Sequence, residues 1–180
     1  MAAVPSRRTA VVSFPSDEEI VITREFEVPR HLVYRAWTTP ELVARWWSGG
    51  RGEVTSVEID LRVGGRWRYV MAAKDGSEVA FRGEFREIVA DERIVYTEIF
   101  EVMPAVCALT AVTFTEEDGR TTLAIRVRYD NKRDRDAHAS YMEDGLDDGL
   151  DLLEQTAMSL RRVPSGRARD HGPQPLRGGL

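Results

Sequence analysis

The sequence contains one cysteine, no long apolar run and no glycine-rich phosphate-binding motif. A single cysteine, Cys107, excludes a disulfide within the chain and suits a reducing compartment. No stretch approaches the roughly 20 apolar residues that a membrane helix needs. Neither GxxxxGK[ST] nor GxGxxG occurs, so nothing in the sequence favours nucleotide binding. We therefore expect a cytoplasmic protein without a membrane segment.

Charge is distributed unevenly along the 180 residues. The 25 basic and 30 acidic residues give a net charge of −5 at pH 7, but arginines collect near both ends of the chain. The part between is more acidic than the total and should repel nucleic acid. Residues 162–180 are rich in glycine and proline, which predicts a disordered basic tail. The apolar run after Arg7 and Arg8 is too short for an export signal, and Asp17, Glu18 and Glu19 end it. We expect residues 1–18 to be a flexible segment. Residues 19–161 should form a single domain.

A strand and two short helices are predicted at the start of this domain. Residues 20–28 alternate between apolar and polar positions, as a half-buried strand does. Arg24 falls on the apolar face, so it is either a functional position or an arginine paired with a buried acid. Proline and capping signals then predict short helices over residues 30–37 and 40–47. Residues 48–50, Ser-Gly-Gly, end the second helix.

From residue 53 to residue 129, strand-length apolar segments are separated by turn signals. This pattern predicts a series of antiparallel hairpins. Residues 65–71 and 122–129 alternate cleanly, with arginines on the polar face. Residues 81–89 and 92–100 are apolar on both faces, so their register stays open.

The last predicted element is a helix over residues 136–160. Apolar residues recur at spacings of three or four over some six turns, so one face should pack on the sheet. Gly145 and Gly149 lie one turn apart and each costs about 1 kcal/mol relative to alanine in a helix interior. They indicate a place where another segment approaches closely or space must be kept.

No group of residues resembles a catalytic triad or a metal site. Cys107 lies in the apolar stretch VCALTAV, so we expect a buried, inert thiol. His31 and His138 open predicted helices, and we interpret both as solvated or capping residues. The acids of the last helix lack the EF-hand pattern and any accompanying histidine or cysteine, so we expect a solvated face, no metal and no cofactor. These acids are Asp144, Asp147, Asp148 and Asp151.

The order of strand, two short helices, about six strands and a long helix resembles the helix-grip fold of the START-like superfamily. The segments ITREFEVPRHLVYRAWTTPELVARWW, VGGRWRYVM, FRGEFREIVADERIVYT and MEDGLDDGLDLLEQ are similar to its AHSA-like (SRPBCC) branch, which is related to the C-terminal domain of the heat-shock protein 90 ATPase activator. The resemblance implies an α+β fold in which a curved antiparallel sheet of about six or seven strands wraps a long C-terminal helix, with a cavity between them. Members often carry a Gly-Trp pair in that helix, where this chain has Gly145 and Leu146. The ligand preferences of relatives therefore do not transfer.

Aromatic side chains either fill an ordinary core or form the wall of such a cavity. Because the implied fold leaves a gap between sheet and helix, we predict a mostly apolar pocket with Trp46 and Trp47 at its mouth. The apolar candidates are Trp37, Trp46, Trp47, Trp67, Tyr69, Phe81, Phe85, Tyr96, Tyr141, Met142, Leu146 and Leu150. The polar candidates are Arg24, Arg66, Glu84 and Glu98.

We expect a monomeric or homodimeric protein that binds an apolar or aromatic small molecule, rather than an enzyme. Two alternatives stay open. A module that binds a chaperone or another protein would dock through the acidic face of the last helix. An aromatase-like or cyclase-like enzyme would fold a reactive chain in the pocket and move protons with a few polar residues.

Overall fold

The computed structural model describes residues 9–161, so the predictions for residues 1–8 and 162–180 lie outside the described part. Strands and helices follow one another as the resemblance implied. In chain order they are β1 (Val11–Ser13), β2 (Glu19–Phe26), α1 (Arg30–Thr38), α2 (Pro40–Val43), β3 (Gly52–Ile59), β4 (Arg66–Ala73), β5 (Glu78–Val89), β6 (Arg93–Phe100), β7 (Cys107–Glu117), β8 (Arg120–Arg128), α3 (Lys132–Met142) and α4 (Leu146–Ser159).

All eight strands form one antiparallel sheet in the order β1-β2-β8-β7-β6-β5-β4-β3. Because β2 pairs with β8 and β3 lies at the opposite edge, α1 and α2 carry the chain across the sheet. The face of the sheet that α1 and α3 contact is called the inner face below. The α+β helix-grip fold is confirmed, with eight strands instead of six or seven. Within residues 9–161, no helix combines the length and the apolar character needed to cross a bilayer.

β1 corrects the prediction of a flexible segment over residues 1–18. Its three residues pair with β2, with Val12 opposite Ile22. The strand is short and all its residues are exposed, so neither an alternating pattern nor burial could reveal it in the sequence. The neighbouring β2 creates this strand by offering an edge to pair with.

Register in β5 and β6, which the sequence left open, is decided by two cross-strand aromatic pairs. Phe81 lies opposite Phe100, with stacked rings whose centroids are 4.6 Å apart, and Phe85 lies opposite Tyr96. All four rings are therefore on the inner face. The predicted alternation of β4 and β8 is confirmed by their burial patterns.

Cys107 is exposed at the start of β7, so the prediction of a buried thiol is wrong. Burial alternates along this strand: Ala108 and Thr110 are buried, whereas Leu109 is 44% exposed. An apolar run suggested burial of both faces, but here the outer face of the sheet remains open to solvent.

Arg24 joins β2 to α4 through a buried ion pair. The residue is 5% exposed, and its guanidinium bonds Asp151 and also Glu154, at 3.3 Å. It donates a further hydrogen bond to the backbone carbonyl of Asp147 at 3.3 Å. Pairing with acids is therefore the interpretation of Arg24 that holds. The same contacts correct the prediction of a solvated acidic face, because Asp151 turns toward the sheet.

The predicted C-terminal helix is interrupted between α3 and α4. Gly145, at the start of α4, has φ of 92°, which an α-helix cannot accommodate. Other segments approach closely here: a Cβ on Gly145 would lie 3.0 Å from the Cδ of Arg51, and one on Gly49 would lie 2.6 Å from the Gly145 carbonyl oxygen. The glycines of the last helix thus mark a close approach of another segment, as the sequence suggested.

Candidate functional site

A cavity of about 170 Å³ lies between the inner face and the helices. For comparison, an apolar cavity of about 150 Å³ holds a benzene molecule. All twelve apolar residues predicted from the sequence line it. They come from α1, the turn after α2, strands β4 to β6, and the α3–α4 region. The second short helix ends at Val43, not at Trp47 as predicted, so Trp46 and Trp47 lie in that turn. Their part in binding a ligand stays a prediction.

Further residues line the cavity without having been predicted. Ile22, Ile125 and Val127 lie on strand faces that the alternation marked as apolar, but the prediction relied on aromatic side chains. The others lie at helix breaks and at contacts between distant segments, and of these the sequence had marked only Gly145 and Gly149, as a place of close approach or kept space. The full set is Thr38, Arg51, Ile59, Thr110, His138, Gly145 and Gly149.

Trp46 lies at the boundary between the cavity and the core. Its ring packs against Trp37 with centroids 4.9 Å apart, and it is only 7% exposed. Its Nε1 donates to the carbonyl of Ala36 at 2.9 Å. That carbonyl lies in the last turn of α1, and the residue four positions on is Pro40, which has no N–H to donate. The indole therefore provides the hydrogen bond that the proline cannot.

Trp47, the next residue, is half-buried and faces the cavity differently. Its ring meets Tyr69 and Phe81 edge to face, with centroids 5.5 Å and 5.8 Å away. These contacts connect the turn after α2 to β4 and β5. Adjacent tryptophans thus have distinct roles, one closing a helix end and the other covering the aromatic inner face.

The segment 48–51 covers the α3–α4 junction. A Cβ on Gly149 would lie 3.7 Å from the Gly49 Cα, so the two backbones are in contact. Arg51 then reaches over the junction, donating to the carbonyl of Tyr141 at 3.4 Å and placing its guanidinium 5.2 Å from that residue's ring centroid. This contact lies at the wall of the cavity, since both side chains line it.

Of the four predicted polar residues, the structure places only Glu98 at the cavity. Arg24 is engaged with α4, as described above. Arg66 and Glu84 are opposite each other on β4 and β5, next to the inner-facing Trp67, and so lie on the outer face. Sequence alternation in this part of β5 was ambiguous, which is why Glu84 could not be excluded.

Glu98 lies on the inner face of β6, two residues from both Tyr96 and Phe100. Burial raises the pKa of its carboxyl from 4.5 to about 7. The residue is partly buried and lines the cavity. Burial raises the pKa of the Tyr69 phenol and, well above its usual value, that of the Tyr96 phenol, and the nearby Glu98 raises both further.

His138 is buried, so its interpretation as a solvated or capping residue is wrong. It lies on the face of α3 that meets the sheet, where its ring stacks on Phe81 with centroids 5.9 Å apart. Its Nδ1 is hydrogen-bonded to the hydroxyl of Tyr129, and burial lowers the pKa of the imidazole to about 4. A neutral imidazole that accepts from Tyr129 carries its proton on Nε2. His31, in contrast, is exposed on α1.

The polar groups of the cavity are therefore one carboxyl group, several phenols, one neutral imidazole and, at the wall, the guanidinium of Arg51, all among aromatic rings. The hydroxyl of Thr110, which is 1% exposed, has no hydrogen-bond partner within the described residues. Across residues 9–161, no three histidine, cysteine or acidic side chains come together as metal ligands. The cavity suits a small molecule that is mainly apolar and carries a polar group.

Comparison with known proteins identifies the family. The family described as Activator of Hsp90 ATPase homolog 1-like protein matches residues 27–158, well over half of the chain. This chain belongs to that family. No curated protein matches the sequence significantly.

Solved structures of bacterial proteins share the fold. One from Rhodobacter sphaeroides is 20% identical with a TM-score of 0.77, and the match covers 84% of this chain and 100% of that one. A solution structure from Arthrobacter aurescens is 20% identical with a TM-score of 0.74, covering 91% and 98%. The AHSA1-like protein from Aeromonas hydrophila is 25% identical with a TM-score of 0.58, covering 77% and 92%.

Proposed function

We propose that this protein binds a small molecule with an aromatic or apolar body in the cavity between the inner face and helices α3 and α4. The observation that carries the proposal is a cavity of about 170 Å³ whose walls include all four tryptophans of the chain. A core that only needed filling would leave few voids larger than a water molecule. Here the aromatic rings surround the space instead of occupying it.

The expected affinity follows from the size of the guest. A molecule that removes about 200 to 300 Å² of apolar surface from water gains roughly 5 to 8 kcal/mol at about 25 cal/mol/Å². Loss of translational and rotational freedom opposes this gain. An affinity no tighter than roughly micromolar results.

Filling the cavity tests the proposal directly. Leu146 lines the cavity, and Leu146→Trp would place a large ring there. Leu109, which is 44% exposed on β7, provides the matched control Leu109→Trp. Calorimetric titration with toluene should show binding to the wild type and to Leu109→Trp, and at least tenfold weaker binding to Leu146→Trp. Equal affinity in all three proteins would place the guest outside the cavity.

Native mass spectrometry of protein purified gently from its own host would identify the physiological guest. A discrete added mass supports the proposal. A guest that is chemically altered on incubation would favour the cyclase-like alternative. A bare mass together with no toluene binding would remove the proposal and favour a protein partner, the role that the family description suggests.

A further inference from the structure

Glu98 faces the cavity without a hydrogen-bond donor or a cation of its own. It pairs through the backbone with Ala108 on β7, and its pKa responds to burial alone, with no contribution from a hydrogen bond or ion pair within residues 9–161. Elsewhere the fold provides acids with partners: Arg68 binds both carboxylate oxygens of Glu101, at 2.8 Å and 2.9 Å. Glu98 is thus an acceptor that the protein leaves unpaired inside a cavity.

The titratable groups around Glu98 come from several elements, and none of them neutralises it. His138 is uncharged above about pH 4, as its pKa shows. Arg51 donates to the carbonyls of Ser48 and Tyr141 and lies over the Tyr141 ring. The remaining groups are phenols, which stay protonated because their pKa values are raised: Tyr69 on β4, Tyr96 on β6, Tyr129 after β8 and Tyr141 on α3.

Tyr69, Tyr96 and Glu98 line the same cavity, and the charge of Glu98 raises the pKa of both phenols. Carboxylates accept hydrogen bonds, whereas phenols both donate and accept. A guest hydroxyl has the matching pattern, since its hydrogen can go to the carboxylate while its oxygen accepts from a phenol. An ammonium group would satisfy only the carboxylate, and an ether would satisfy only the phenols.

We infer that the guest is an aromatic alcohol or phenol whose hydroxyl donates a hydrogen bond to Glu98 and lies beside the hydroxyls of Tyr69 and Tyr96. This inference rests on the proposed function, because it specifies the polar group of the guest in the same cavity. Glu98 would then select among apolar molecules of similar size.

Proton linkage makes the inference measurable. A guest that donates to Glu98 stabilises the carboxylate and lowers its pKa, so that guest binds more tightly as the pH rises through about 7. A guest without a donor only removes water from the carboxylate and raises its pKa, so its binding weakens over the same range. Each unit of pKa change alters affinity about tenfold between the two limits.

Benzyl alcohol and anisole form a matched pair of probes, because they are isomers that differ in having or lacking a hydroxyl donor. Calorimetry at about pH 5.5 and about pH 8.5 spans the titration of Glu98. We expect benzyl alcohol to bind roughly three- to tenfold more tightly at the higher pH, and anisole to show the opposite trend. His138 is neutral at both values and contributes no change.

Two variants complete the test. Glu98→Gln keeps the size of the side chain and should abolish both pH trends, whereas Glu84→Gln, on the outer face, should keep them. Identical pH trends for the two probes in the wild type would overturn the inference, without reliance on any variant. So would trends that persist in Glu98→Gln. If neither probe nor toluene binds at either pH, the proposed function itself fails, whereas binding without opposite trends removes only the choice of a hydroxyl.

Discussion

Replacing Trp46 by phenylalanine should destabilise the fold through one missing hydrogen bond. The indole donates at 2.9 Å to the Ala36 carbonyl, whose helical donor is replaced by Pro40. Phenylalanine keeps an aromatic ring against Trp37 but leaves this buried carbonyl without a partner. An unsatisfied buried acceptor costs about 1–3 kcal/mol. The smaller ring adds on the order of 1 kcal/mol, because part of its packing is lost.

Trp47→Phe is the matched control, since it removes the same atoms from the adjacent residue. Trp47 is half-buried and contacts Tyr69 and Phe81 through ring edges. Its substitution should lower the free energy of unfolding by about 1 kcal/mol. Because Trp47 covers the aromatic inner face, the affinity for toluene should fall more in this variant than in Trp46→Phe.

Urea unfolding followed by far-ultraviolet circular dichroism measures both changes without depending on tryptophan fluorescence. A lower midpoint with an unchanged slope would report lost stability of the native state. Equal losses in Trp46→Phe and Trp47→Phe would refute the assigned role of the indole hydrogen bond. So would a loss below about 0.5 kcal/mol in Trp46→Phe, the size expected for an ordinary surface substitution.

Three further predictions concern charge and backbone contact. Burial raises the pKa of Glu98 from 4.5 to about 7, so the native state holds a proton that the unfolded state releases between these values, and stability falls as the pH rises. The free energy of unfolding of Glu98→Gln should therefore exceed that of the wild type by roughly 3 kcal/mol above pH 7 and nearly equal it below about pH 4.5. Thermal or urea unfolding across this pH range measures the difference. A difference that stays constant with pH would argue against a buried carboxyl. Asp151→Asn weakens the ion pair to the buried Arg24 and should lower the free energy of unfolding by about 2 kcal/mol. Urea titration measures this loss, and an unchanged free energy of unfolding would mean that water replaces the pair. Gly49→Ala should lower the free energy of unfolding by about 2–4 kcal/mol, because its Cβ would lie 2.6 Å from a backbone carbonyl oxygen. Gly50→Ala, also at positive φ but with open space around it, should lower it by only about 1 kcal/mol. Equal melting temperatures for the two variants would contradict the close contact.

Local patterns in the sequence were sufficient for most of the framework. Alternation along β2, β4 and β8 identified the buried faces, because successive side chains of a strand point to opposite sides. Proline and capping signals predicted the two short helices, and the turn signals predicted the hairpins. The aromatic residues proposed for a cavity do surround one, since most of them lie on strand faces or helix ends that a local pattern already marked.

Contacts between distant segments could not be predicted in this way. β1 pairs with the edge that β2 offers, and Arg51 and Gly49, nearly a hundred positions earlier in the chain, pack against the break at Gly145. His138 looked like a helix-start residue, but the face of α3 that meets the sheet buries it against Phe81.

The polar residues show most clearly where sequence reasoning ends. Arg24 and Glu98 both interrupt apolar strand faces, and only the packing of α4 over β2 separates the ion-paired Arg24 from the unpaired Glu98 at the cavity. Trp46 and Trp47 are likewise adjacent in the chain, yet one bonds the end of α1 and the other covers the sheet. The sequence by itself determined which residues face inward where the alternation is clean, as on β2, β4 and β8, because that depends on the periodicity of each element. The tertiary structure alone decided which of them meet a partner and which face empty space, because that depends on the elements packed against them.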